Sequence, residues 1–235
     1  LDWQINDDFS LKNIVNYREL EFLNWADLDL STLNRVNVAI PFDDEQVSNE
    51  LQLTYQGEKF NGMAGLYYYK ETFDGSTDVW IGGTTLFQLV GNSETEALSP
   101  FWNATYDFTD KLTLRAGGRL NSEERSIENS SGIGVQVPSA IATDDRRFNE
   151  YTGEYGVDYS ISDDVMTYYT YSQGYRSGAA LVFQTNSPII DPTTVDNHEI
   201  GLKSQFADGR FTANLALFDA TVNDLQRTQA RLNAA

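Results

Sequence analysis

Cysteine is absent from this chain and histidine occurs once, as His198. The first absence removes disulfides and thiolate metal sites. The second leaves Ser–His and His–metal chemistry without partners. Positive charge is scarce as well: 16 Lys and Arg stand against 35 Asp and Glu, a formal net charge of −19. Nucleic-acid phosphates would repel such a surface, and no basic patch is available to hold anionic lipid. No run of apolar residues is long enough for a membrane helix. That last exclusion does not reach membrane barrels, whose strands alternate and average to modest hydropathy.

What the chain does have is rings: 13 Tyr, 13 Phe and 4 Trp among 235 residues. Acidic chains with little to bury stay disordered, but this one has too much aromatic surface for that. Alternation of apolar and polar residues is the main local signal. In "LTLRAGGRLNSE", Leu112, Leu114, Ala116, Gly118 and Leu120 share one face, with Thr113, Arg115, Gly117, Arg119 and Asn121 on the other. "FNEYTGEYGVDY" sets Tyr151, Tyr155, Val157 and Tyr159 against Glu150, Thr152, Glu154 and Asp158. "NHEIGLKSQF" sets His198, Ile200, Leu202 and Phe206 against Glu199, Lys203 and Gln205, and "NELQLTY" repeats the pattern.

Short turns rich in Gly, Asp and Asn punctuate these segments near Asp7, Gly57, Thr109, Ser162 and Asp208, as hairpins require. Longer polar stretches lie between them, at 20–46, 72–96, 124–147 and 176–194, and read as long connections. Ten strands are predicted, at 1–5, 10–19, 47–55, 60–71, 97–106, 112–123, 148–159, 165–175, 195–206 and 211–222. Most have the ~9–11 residues a tilted strand needs to cross a bilayer. Short turns at one rim and long loops at the other is the asymmetry of outer-membrane barrels. A soluble sandwich would have shorter strands with turns every ~8–12 residues, and a propeller would pack about four strands into each repeat. The expected fold is therefore all-β, an antiparallel up-and-down transmembrane β-barrel.

"DDVMTYYTYSQGYRSGAA" places four tyrosines within eight residues, Tyr168, Tyr169, Tyr171 and Tyr175. An apolar ring with a hydroxyl suits a membrane–water interface. Val165, Thr167, Tyr169 and Tyr171 are expected to face outward, with Met166, Tyr168, Thr170 and Ser172 inward. Trp102, Tyr106, Phe108, Tyr55 and Tyr159 fit the turn-side rim, and Tyr67–Tyr69 the opposite rim or the lumen. Arg115, Arg119, Glu150, Glu154, Glu199 and Lys203 are expected in the lumen, where Arg119 and Glu154 are candidates for a cross-strand pair. Trp80, Arg146, Arg147 and Arg176 are candidate substrate contacts on loops, because aromatic and Arg side chains anchor ligands. Asp27, Asp29, Asp43, Asp44 and Glu45 have the oxygens for Ca²⁺ but read better as a solvated loop. Asp163–Asp164 reads as turn chemistry, so no catalytic residue, metal site or cofactor is expected.

Five segments then carry a resemblance, in order: "FSLKNIVNYREL", "NELQLTY" with "FNGMAGLYYYKE", "YDFTDKLTLRAGGRLNSEER", "YTYSQGYRSGAA", and "TVDNHEIGLKSQFADGRFTANLALF" followed by "VNDLQ". Together they resemble the barrel of TonB-dependent outer-membrane receptors, from Phe9 to Gln226. The resemblance implies a larger barrel of 22 strands, filled by an N-terminal plug that the inner-membrane TonB protein pulls to admit a scarce nutrient. Siderophore, cobalamin and glycan are the substrate classes it allows. It implies outer-membrane lipid and lipopolysaccharide as surroundings and the TonB complex as a partner through the plug. No plug sequence is found in the chain, which stops at "RTQARLNAA" without a terminal aromatic strand. An interior portion of a receptor barrel is therefore expected. The competing functions are a passive porin or structural barrel, and a soluble β-rich binding module.

Overall fold

In the computed structural model, which describes residues 1–30, 32, 35–133, 140–182 and 189–227, every element is a strand. The ten strands are β1 (Asp2–Gln4), β2 (Phe9–Asp27), β3 (Val36–Gln56), β4 (Phe60–Ile81), β5 (Thr84–Thr109), β6 (Leu112–Ile133), β7 (Ala140–Ser162), β8 (Val165–Arg176), β9 (Thr193–Phe206) and β10 (Phe211–Asn223). They form one sheet in sequence order, each pairing antiparallel with the next. This is the up-and-down architecture the alternation predicts. β1 and β10 are its two edges. The expected terminal segment at 228–235 lies outside the described residues.

The strands run far beyond the expected lengths. β2 to β7 have 19, 21, 22, 26, 22 and 23 residues, about twice what a bilayer needs. Most of 20–46, 72–96 and 124–147, expected as connections, is therefore strand that continues past the apolar band. Alternation marks a strand only where its two faces meet different surroundings. In these extensions the two faces no longer differ, being polar together in "VGNSETEA" of β5 and apolar together in "LEFLNWA" of β2, so the period of two disappears from the sequence. β4 and β5 meet at Gly82–Gly83, where φ values of 58° and 82° give the two left-handed residues of a tight hairpin turn. Only 177–192 keeps the length expected of a connection.

Pairing register fixes two faces. Leu53, Ala64, Trp102, Gly118 and Tyr151 line up across β3–β7 through Leu53↔Ala64, Ala64↔Trp102, Trp102↔Gly118 and the adjacent Leu120↔Tyr151. That face carries the aliphatic residues, with exposed rings at both margins: Phe60, Tyr106, Phe108 and Tyr159 near the turns, Tyr17 and Tyr151 further along. Few of these side chains are buried, because the sheet is one layer and has no second layer behind it. Rings lie flat over glycines to smooth the surface: a Cβ at Gly153 would come within 2.8 Å of the Tyr155 ring. The opposite face is polar.

Candidate functional site

The polar face collects Arg115, Arg119, Glu150, Glu154, Glu199 and Lys203, as the register requires. Arg115↔Gly156 and Glu154↔Ser172 put the guanidinium, Asp158 and Thr170 on adjacent strands. Arg115 Nε donates to Asp158 Oδ2 at 2.8 Å, Nη2 to Asp158 Oδ1 at 3.1 Å and to Thr170 Oγ1 at 3.0 Å, and Nη1 to Glu154 Oε1 at 3.3 Å. The expected pair of Arg119 with Glu154 is not made. Glu154 faces Gly117, with Arg115 and Arg119 diagonal to it on either side, and Arg115 takes the carboxylate. Tyr168 Oη donates to Glu199 at 2.6 Å, and Lys203 Nζ lies 5.1 Å from the Tyr168 ring centre.

Further along the same face, Arg18 pairs with the buried Asp44, and Gln46 Nε2 donates to Glu71 at 2.5 Å. Beyond them Phe22, Phe42 and Phe73 form a ladder, with ring centres 4.9 and 5.4 Å apart. Phe22 is 47% exposed, so the ladder presents a flat apolar surface at the extended ends of β2–β4. These three rings lie in stretches whose sequence gives no period, apart from their even spacing on paired strands.

The described ends of the connection, 177–182 and 189–192, lie across the polar face of β6 and β7. β8 leaves β7 after Ser172 while staying paired with β9 to Arg176. Ser177 Oγ then donates to Glu123 at 2.6 Å, and Asn129 Nδ2 to the Leu181 carbonyl at 3.1 Å. On the return, the Ile189 N–H donates to Asp144 Oδ2 at 2.8 Å, and Arg146 meets Asp191 at 3.0 Å. Ile189 is fully buried. The backbone N–H of Ile189 holds the Asp144 carboxyl below its usual range, helped by the Asp145 N–H and Arg146.

The four residues expected to contact substrate do not converge. Trp80 lies on β4, not a loop, with the parity of the apolar face, and stacks on Trp25 at 5.0 Å. Arg147 shares that parity and pairs with Glu124. Arg146 and Arg176 lie on the polar side, Arg146 bound to Asp144 at 3.4 Å and Asp191. Both Trp80 and Arg147 stand in strand extensions without alternation, so nothing in the sequence marks their face. Asp44 is held by Arg18, and Asp29 accepts the N–H groups of Arg35 and Val36 at 2.6 and 2.8 Å. Among the described residues no three carboxylate or imidazole groups come together as a metal site. His198 follows the apolar face and meets Tyr169 Oη at 2.8 Å.

Comparison with known proteins gives one consistent result. The sequence model of the family described as TonB dependent receptor-like, beta-barrel, matches residues 1–234. The ferripyoverdine receptor of Pseudomonas aeruginosa is 25% identical over 130 residues, covering 54% of the chain and 14% of that receptor. The structure superimposes on the ferric yersiniabactin uptake receptor of Yersinia pestis with a TM-score of 0.83 at 18% identity, over 96% of this chain and 35% of that one. On the ferric citrate transporter in its unliganded form the TM-score is 0.70 at 14% identity, over 94% and 33%. The chain thus spans about a third of these structural neighbours.

Proposed function

Because this chain belongs to the TonB-dependent receptor family, as part of the β-barrel of an outer-membrane protein, we propose that it walls a receptor for TonB-energised uptake of an iron–siderophore complex. In this reading the polar face lines the lumen, with Arg115, Arg119, Glu150, Glu154, Glu199 and Lys203 turned inward, and a plug from elsewhere in the receptor fills it. The apolar face meets outer-membrane lipid. The polar extensions beyond it stand among lipopolysaccharide headgroups. There the apolar-face parity passes to Glu19, Glu45, Glu94 and Glu124, with Lys70 and Arg147 paired to carboxylates.

The observation that carries the substrate class is the Phe22–Phe42–Phe73 ladder above the Arg18–Asp44 pair, at the end from which cargo enters. A rigid chelate with apolar rings fits a flat aromatic surface, and Arg146 and Arg176 on the same side suit its anionic groups. Two relatives named for ferric siderophores agree with this class. Cobalamin and glycan cargo have no comparable support. The test is accumulation of iron supplied on a panel of siderophores, in cells carrying or lacking the intact receptor and TonB. Uptake of one ferric siderophore that requires both is expected. Equal uptake without TonB overturns the reading.

A further inference from the structure

Arg119, like Lys203 and Arg176, is a polar-face cation with no salt bridge among the described residues. Arg18, Arg115, Arg125 and Arg146 each hold a carboxylate there. Arg119 holds none among the described residues. Its Nε donates to Asn121 Oδ1 at 2.9 Å, and its guanidinium carbon sits 5.1 Å from the Tyr67 ring centre. Those two contacts fix the side chain and leave both Nη groups without an acceptor among the described residues.

Beside it is a hollow of about 480 Å³. Gly117 leaves its floor without a side chain, and Asn103, Thr105, Thr152 and Ser172 line it with neutral hydrogen-bonding groups. Glu154, the carboxylate at its margin, is engaged by Arg115 at 3.3 Å. The wall thus presents a pre-oriented guanidinium over a polar socket with no counter-ion of its own.

We propose that Arg119 and this hollow form a docking socket for an Asp or Glu side chain of the segment that fills the lumen. This rests on the lumen reading given above. In an open, wet lumen water can satisfy the two Nη groups. Once the lumen is filled, water is displaced and an unpaired guanidinium becomes costly. A carboxylate removes that cost with two parallel charge-assisted hydrogen bonds, the geometry Arg favours. The surrounding amide and hydroxyls accommodate the rest of the incoming side chain. Tyr67 and Asn121 hold the fork in advance, so little side-chain entropy is lost on docking.

The experiment uses the full-length receptor in detergent and follows protease cleavage of the lumen-filling segment, with heat-modifiable gel mobility reporting the barrel. In the unmodified receptor that segment is expected to resist cleavage. Arg119→Met keeps the bulk and removes the charge, and it should raise the cleavage rate about tenfold or more, as losing a charged hydrogen-bonded pair implies. Arg119→Lys keeps charge without the fork and should fall between the two; it also serves if the Met variant fails to assemble. A charge reversal, Arg119→Glu, should be rescued by an Asp or Glu→Arg change in the segment and by no such change elsewhere. Full resistance in both Arg119→Met and Arg119→Lys overturns the socket while leaving the filled lumen standing. Rapid cleavage in the unmodified receptor overturns the filled lumen and the socket together.

Discussion

Arg115 lies directly over Gly156: a Cβ added to that glycine would come 2.6 Å from Arg115 Nη2. The glycine is what lets the guanidinium lie flat against the wall and reach Asp158, Glu154 and Thr170 together.

Replacing Gly156 with Ala should therefore lift the guanidinium and weaken its bonds to Asp158. A cost of about 1–3 kcal/mol in unfolding free energy is expected, the range for overpacking a close contact. Arg115→Ala alone leaves Asp158 without its cation. In the double variant the Cβ has nothing to displace, so the two losses should combine to less than their sum. Chemical denaturation of the receptor in lipid vesicles reads all three, and strict additivity would show that Gly156 does not serve Arg115.

The apolar face gives a second non-additive pair. Tyr151 and Tyr155 lie flat over Gly118 and Gly153, and their hydroxyls meet at 3.1 Å. On the apolar face each is the other's partner. Tyr151→Phe or Tyr155→Phe alone should cost about 1 kcal/mol, because one hydroxyl remains unsatisfied. Removing both hydroxyls should cost less than the sum of the two single changes. The same denaturation measurement decides it.

How far the fold was legible follows from where its two faces differ. Within the apolar band Leu112, Leu114 and Leu120 alternate with Thr113, Arg115 and Arg119, and the strand and its sidedness can be read directly. Above the band the contrast vanishes, so β5 from Thr84 to Glu96 looks like a loop although it pairs with β4 along its length apart from a bulge at Leu86. The Gly82–Gly83 pair is the local signal for that hairpin, but the segments beside it, "VWI" and "TTLF", run apolar or polar residues together instead of alternating them. Register was not legible at all. Glu154 pairs with Gly117, between Arg115 and Arg119, and nothing local to either strand sets that alignment. Trp80 illustrates the same limit, since its face depends on pairing with Asn37.

Sidedness itself is testable at two neighbouring residues. Leu53 faces the apolar side and Gln52 the polar side, beside Glu50. Leu53→Arg should cost about 2–4 kcal/mol if it lies near the bilayer midplane and less toward the interface. Gln52→Arg should cost well under 1 kcal/mol, because the lumen side is polar and a carboxylate is at hand. Equal costs would mean that both faces meet the same solvent.

The anchoring of Ile189 on β7 sets an acid dependence whose direction is fixed. Asp144 accepts the Ile189 N–H and also meets Arg146, so its charged form is favoured in the native state and its carboxyl titrates below the ordinary range. A depressed carboxyl contributes stability that is present above the unfolded value and is lost as pH falls through the native one. The anchor is therefore expected to be intact at neutral and mildly acid pH and to release only in strong acid. Asp144→Asn keeps an acceptor for Ile189 but removes the charge that attracts Arg146. Hydrogen exchange at the Ile189 amide should be slow in the unmodified receptor at pH 7 and at pH 5, and faster in Asp144→Asn at both. Loss of protection already between pH 7 and pH 5 in the unmodified receptor would mean that a group other than Asp144 holds the segment against β6 and β7.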